Sequence, residues 1–535
     1  MVVSGLLVRR LGGVAAVAVL LGTFAVATPA QATSSNNSVE KLTKSVTLSG
    51  VLRHLVALQA IASLNGGNRA SGGPGYDRSA DYVATMMRLA GYHVTRQPFQ
   101  FNFCEDTGSS FVQNAPTPTT YADQVDYDVM DCSGNGTTTG LVVPVDLALT
   151  TPNSSTSGCE ASDFTTAVNG NIALLQRGTC PFGQKVANAE AAGATGVILM
   201  NQGNTAAPDR QDLFLGTLGN PVGIPAISVS YPRGVAFNGT PNLNVTITTE
   251  TIAEVRDTEN VIAESRHGDP NEVVTVGAHL DSEPDTAGIN DNGSGSAGIL
   301  EVALQMRNIK TKNKVRFAWW GAEESNLVGS TFYVSNLTAE EQAKIALYLN
   351  FDMIGSPNYT FGVYDGDDSA GEGSGPGPVG SAQIEAVFQR FFASRSEATA
   401  AADFTGRSDY GPFIATGIPA GGLFTGAEVR KTEADVALWG GVAGAQYDPC
   451  YHAPCDSLAP ERNGADADLY RQLRQEYRLF GNVNTFAIDT NADAIATAVA
   501  TFAQDTSTIP ARPAAAAVAT RSAAVPMTAQ GDWLQ

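Results

Sequence analysis

The chain has 535 residues, enough for two or three domains, and a hydrophobic content of 43% that is ordinary for a globular core. Its formal net charge of −21 argues against nucleic acid and anionic membrane surfaces as partners.

In chain order, Met1–Ala32 comes first. Arg9 and Arg10 precede the apolar run "LGGVAAVAVLLGTFAVA", and small residues stand at Ala30 and Ala32. This pattern predicts a signal peptide cut after Ala32, not a membrane anchor, and hence a secreted, extracellular protein. The arginine pair leaves the export route open between the general and twin-arginine pathways. No later stretch is apolar and long enough to span a bilayer.

Helical spacing marks "SVTLSGVLRHLVALQAIASLN", and a second helix is expected from about Asp77 to Leu89, closed by Gly91. "HVTRQPFQF" alternates like a strand. Over 105–250 the texture turns to Gly, Thr, Asn and short β-branched runs, so this region reads as an insertion between 33–104 and 251–482. From Asn260 onward the short apolar runs "NVIAES", "EVVTVGAHL", "KVRFAWWGA" and "IALYLNFDMIG" alternate with helical stretches. That order predicts an α/β domain with a mixed, mostly parallel central sheet. Residues 483–535 read as an Ala-, Thr- and Pro-rich tail with one helix, "ADAIATAVATFAQD", and disorder from Thr508.

Six cysteines in an exported chain predict disulfides. Many pairings are open to six cysteines. The simplest joins neighbours: Cys104–Cys132, Cys159–Cys180 and Cys450–Cys455.

Ligands of an open α/β sheet bind beyond the carboxyl ends of its strands. Here "VVTVGAHLD" ends on His279 and Asp281, "VRFAWWGAEE" on Glu323 and Glu324, and "ALYLNFDMIG" on Asp352. Asp291 opens the following helix, and His452 lies between two cysteines in "DPCYHAPCDS". Carboxylates crowded on one sheet edge would repel one another unless a divalent cation lay among them. Imidazole with carboxylate suits zinc. Two zinc ions sharing a carboxylate would employ His279, Asp291, Glu324, Asp352 and His452. Asp281 is then free to orient the His279 ring, and Glu323 to accept a proton from water. Singly, each of these acids reads as a loop residue or helix cap; three successive strand ends with the same chemistry do not.

The motifs "GAHLDS…GINDNGSGSAGILE", "FAWWGAEESNLVGS", "YLNFDMIGSPN", "GRSDYGPF", "GIPAGGLFTG" and "CYHAPCDS" resemble the secreted bacterial di-zinc aminopeptidases over about 40–100 and 255–460. The resemblance implies a three-layer zinc-peptidase fold. It implies His279 and Asp352 on one zinc, Glu324 and His452 on the other, Asp291 between them and Glu323 as general base. It also implies Tyr451 as a carbonyl-polarising residue, Arg407 as a substrate contact and a cis peptide at Asp291–Asn292. "NIALLQRGTCPFGQKVANAEAAGATGVILMNQ" resembles a protease-associated domain, which would occupy 105–250. Some relatives bind calcium, but no matching ligands stand out in this chain.

The function so implied is removal of N-terminal residues from peptides and proteins by a monomeric metalloenzyme. Met353 and Phe424 would line an apolar pocket for a leading Leu or Phe. Two competitors are a carboxypeptidase or other amidohydrolase on the same frame, and a receptor-like binding protein. The first needs a basic pocket, for which Arg407 is the sole candidate in these motifs; the second would dispense with ligands that this chain retains.

Overall fold

The computed structural model describes residues 39–206, 208–371 and 375–511. The expected signal peptide and the end of the tail lie outside these residues. Among them, no single helix is long and apolar enough to cross a membrane.

The main unit is built on a sheet whose central strands are Asp269–His279, flanked on one side by Ile345–Phe351 and on the other by Asn313–Trp320. Both neighbours run parallel to it. Ala420–Phe424 continues the parallel set beside Ile345–Phe351. Successive side chains of a strand point to opposite faces. Phe317 and Trp319 therefore enter one core, while Ala318 and Trp320 enter another. The first core lies under the helices Leu48–Leu64, Gly293–Met306, Ser381–Ser394 and Thr485–Gln504; Tyr333 and Phe413 bring the helices Val328–Ser335 and Gly411–Ala415 onto the second. Helices on both faces explain why these strands are apolar throughout.

Two regions differ from expectation. The helix expected over 45–65 is Leu48–Leu64, and a separate helix, Val39–Ser45, precedes it. Thr47 is extended and its side chain accepts the Gly50 N–H, so a new helix starts there. The helix expected in the tail is longer, Thr485–Gln504, and Ile488, Ile495, Val499 and Phe502 are completely buried in the first core. Each is worth about 1.5–3 kcal/mol of burial. Its alanines, which made the sequence look simple, are the small residues that let the helix lie close to its neighbours. Ile509, placed beyond the onset of expected disorder, still packs on this core.

A long antiparallel ribbon leaves the main sheet. His93–Ala115 pairs with Asn244–Glu264 from His93↔Glu264 to Ala115↔Asn244. At its far end Asn244–Glu264 pairs with Gly136–Pro144, which leads to the parallel strands Ile172–Gln176, Gly196–Met200 and Ala226–Val229. The second unit is thus an extension of the same sheet, with apolar clusters on both faces. All three neighbour disulfides are formed. Cys104–Cys132 fastens the ribbon to the second unit, and Cys159–Cys180 closes the turn before the helix Phe182–Ala191.

Candidate metal centre

His279 is the last residue of its strand and its side chain is 1% exposed. The chain then runs through a loop to Asp291, where the peptide to Asn292 is cis. Asn292 caps the helix Gly293–Met306 by accepting the Gly295 N–H, and its amide donates to the Phe351 carbonyl. A side chain at Gly295 would strike that carbonyl oxygen at 2.1 Å, so only glycine lets the helix start this close to the neighbouring strand. Glu323 and Glu324 follow the strand Asn313–Trp320, and Asp352 follows Ile345–Phe351. Met353 and His452 both adopt left-handed backbone, φ 50° each, an uncommon conformation that clusters at functional sites.

These side chains converge. His279 Nε2 is 3.2 Å from Asp352 Oδ1 and 3.2 Å from Asp291 Oδ1, with Glu323 Oε2 at 3.9 Å. His452 Nε2 is 3.3 Å from Asp291 Oδ2 and 3.3 Å from Glu324 Oε2. The two oxygens of Asp291 thus face different histidines. Ser408 Oγ donates to Asp352 Oδ2 at 2.6 Å, leaving Oδ1 toward His279.

Asp281 Oδ1 stands 3.6 Å from His279 Nδ1, a longer approach than a hydrogen bond. Its oxygens instead accept the backbone N–H groups of Glu323 and Glu324, at 3.3 and 3.4 Å. It therefore ties the His279 strand end to the next one.

Electrostatics follow from crowding in a dry place. Burial pushes the Glu323 carboxyl well above its ordinary pKa. Burial alone would lower both imidazoles, but Glu323 and Asp352 around His279, and Glu324 around His452, hold them well above the usual range. Burial would raise Asp291, but its hydrogen bonds to the two histidines hold it below the usual carboxylate range. Glu324 Oε1 is buried without a hydrogen-bond partner among the described residues. Two histidines, four carboxylates and an unsatisfied carboxylate oxygen are a donor set that fits divalent cations with mixed nitrogen and oxygen ligands.

The set opens into a cleft of about 670 Å³. Met353, Phe424, Arg407 and Tyr451 all line it, with Leu327 and Val334 adding apolar wall. Tyr451 stacks on His452 at 3.9 Å between ring centroids. Arg407 donates to Glu428 at 2.6 Å and to the Tyr451 hydroxyl at 3.2 Å.

Sequence reasoning missed the supports. Arg69 is fully buried and donates to the carbonyls of Leu280, Ala287 and Gly288, so one guanidinium holds both ends of the loop between His279 and Asp291. Asp456, just after Cys455, accepts the N–H groups of Asn290 and Asp291 at 2.8 and 2.9 Å. Asn482 bridges Asp456 and Asp448, and Asp448 accepts from Asn290. This network binds the His452 loop to the Asp291 loop. The only signal in the sequence was the pair of aspartates flanking "PCYHAPC". Elsewhere, Asp365, Asp367 and Glu385 gather, but backbone N–H groups already occupy Asp365 and Glu385.

Comparison with known proteins agrees with this frame. Residues 260–475 match peptidase family M28, and residues 138–237 match the PA domain. An aminopeptidase of Pseudomonas aeruginosa strain UCBPP-PA14 is 50% identical over 414 residues, 77% of this chain and 76% of that protein. Leucine aminopeptidase 2 of Trichophyton rubrum is 38% identical over 451 residues, 83% of this chain and 82% of that protein. Among solved structures, the aminopeptidase from Aneurinibacillus sp. strain AM-1 shares the fold with a TM-score of 0.64 at 24% identity, covering 89% of this chain and 98% of that one. The zinc aminopeptidase BSAP from Bacillus subtilis does so with a TM-score of 0.52 at 23% identity, covering 85% and 94%. Sequence identity sustained over three quarters of both chains, together with the strand-end acids and histidines, makes this protein a member of peptidase family M28 with a PA domain.

Proposed function

We propose that the protein is a secreted, monomeric aminopeptidase that holds two zinc ions and removes large apolar residues such as Leu or Phe from the N-termini of peptides and proteins. The observation that carries this reading is Asp291, whose two oxygens each face a separate histidine–carboxylate pair at the mouth of an apolar cleft. His279 and Asp352 would hold one ion, Glu324 and His452 the other, with Asp291 shared. Zinc in such a site supplies a Lewis acid that polarises a carbonyl and acidifies water.

The remaining steps belong to the chain. Glu323 lies beside this set, and burial holds its carboxyl well above its ordinary pKa, the direction that favours taking up and giving back a proton. It takes a proton from the attacking water and delivers it to the leaving amine. Tyr451 presents its hydroxyl to the oxyanion as charge develops there. Glu323 and Asp352 receive the substrate's free ammonium group. Met353 and Phe424 receive its side chain. The three disulfides support an oxidising, extracellular setting.

A carboxypeptidase on the same frame would need a free cation for the substrate carboxylate. Arg407, the one Lys or Arg side chain lining the cleft among the described residues, is already engaged by Glu428 and Tyr451. The test compares leucine p-nitroanilide with its N-acetyl derivative, each with and without a chelator. Turnover of the free amine alone, abolished by chelator, is expected. Equal cleavage of the blocked substrate would overturn the reading.

A further inference from the structure

The loop between His279 and Asp291 carries a second acid in register with Asp281. Glu283 lies two residues further on, and its Oε1 comes within 3.4 Å of His452 Nδ1. That nitrogen is the one opposite Nε2, which faces Asp291 and Glu324. The arrangement repeats, on the other histidine, the placement of Asp281 beside His279 Nδ1 at 3.6 Å. One loop therefore brings a carboxylate near the rear nitrogen of each imidazole, although Asp281 commits its oxygens to the Glu323 and Glu324 N–H groups.

We infer that Glu283 is a positioning residue for His452, accepting its Nδ1–H and so fixing the tautomer that leaves Nε2 free to bind metal. The inference rests on the two-zinc reading above. The need is greater at His452 than at His279. His279 is fixed by its strand and is 1% exposed, whereas His452 stands on a loop, 37% exposed, in a left-handed backbone conformation. A ring with that freedom can rotate about its side-chain bonds or present the wrong tautomer. A carboxylate on the far nitrogen opposes both and raises the basicity of the ligating nitrogen. Glu283 is itself confined: the Glu283 carbonyl accepts from the Ser282 hydroxyl at 3.0 Å, and Ser282 also bonds the Arg69 N–H, so the acid hangs from the part of the loop that Arg69 pins.

The experiment measures zinc per chain by elemental analysis across a series of chelator-buffered free zinc concentrations, for wild type, Glu283→Ala and Glu283→Gln. Melting of each metal-free protein is recorded alongside. Wild type is expected to hold two zinc ions. In Glu283→Ala one of them should need about 10–100-fold more free zinc, with the other unchanged. Glu283→Gln keeps an oxygen for the Nδ1–H and should recover part of that loss. Unchanged binding in Glu283→Ala overturns the inference. So does equal weakening of both ions with a lowered metal-free melting temperature, which would mean loop collapse. Failure of Glu283→Gln to recover anything rules out the acceptor role. If wild type itself holds fewer than two zinc ions, the two-zinc reading falls first, and that failure is distinct from the others.

Discussion

His279 and His452 reach the same acid, Asp291, from opposite kinds of backbone. His279 ends a central strand paired on both sides and sealed between two helical layers. His452 sits on a loop closed by Cys450–Cys455 and held down by Asp456 and Asn482. In the first half of the site, position comes from the sheet and was fixed by burying apolar strands. In the second half, it comes from one crosslink and a web of buried polar groups. The second half should therefore be the easier to loosen without unfolding the protein.

The largest expected effect lies between the halves. On the proposed reading, Glu323→Ala removes the proton carrier and no zinc ligand, so it should keep the metal content of both and lower kcat by about 10²–10⁴-fold. Steady-state kinetics with metal analysis checks this; near-normal activity would remove Glu323 from its role. Next, Ser408→Ala strips a hydrogen bond to the Asp352 carboxylate, a ligand in the proposed site, and should weaken zinc in the His279 half by about 10-fold, the equivalent of roughly 1.4 kcal/mol. Chelator competition measures it, and a loss confined to the other half would contradict the assignment of Asp352.

Replacing Cys450 and Cys455 together by serine should act on the other side. The closed loop is short, so the crosslink contributes little through chain entropy and much through local geometry. Zinc in the His452 half should weaken by several-fold to about 10-fold, within the range for lost outer support. Melting of the metal-free protein should move less. A large fall in melting temperature with intact zinc binding would reverse the comparison.

The smallest effect concerns protons. Without metal, the carboxylates around His279 and His452 raise both imidazoles above their ordinary value. The rings then carry protons near neutral pH that zinc must displace, so zinc affinity should rise with pH and binding should release protons. Calorimetry in buffers of different ionisation enthalpy reads this directly; zinc binding without proton release at neutral pH would show both rings already neutral.

How much of this was legible in the sequence divides along the same line. Strand ends could be read because an apolar run that stops on His279, Glu323 or Asp352 signals both the element and its chemistry. His452 could be read because cysteines bracket it. Its supports could not: Asp448, Asp456 and Asn482 are single polar residues with no period, and they meet only in the folded chain. Arg69 looked like an ordinary loop arginine and is completely buried. Helix Thr485–Gln504 was legible only over its second part, in "ADAIATAVATFAQD"; its first turns and its burial were not, because alanine and threonine carry little hydrophobic contrast. The junction between the units was also invisible, since the Thr217 hydroxyl of the PA region meets the Asn326 amide, two residues after Glu324, at 3.2 Å.

The most direct measurement is a zinc titration of the metal-free protein, following hydrolysis of leucine p-nitroanilide and bound zinc in the same samples. Activity should be absent without metal and reach its plateau at two zinc ions per chain. A plateau with no zinc bound, or full activity in excess chelator after the metal has been shown to be gone, would contradict a metal centre built from His279, Asp291, Glu324, Asp352 and His452.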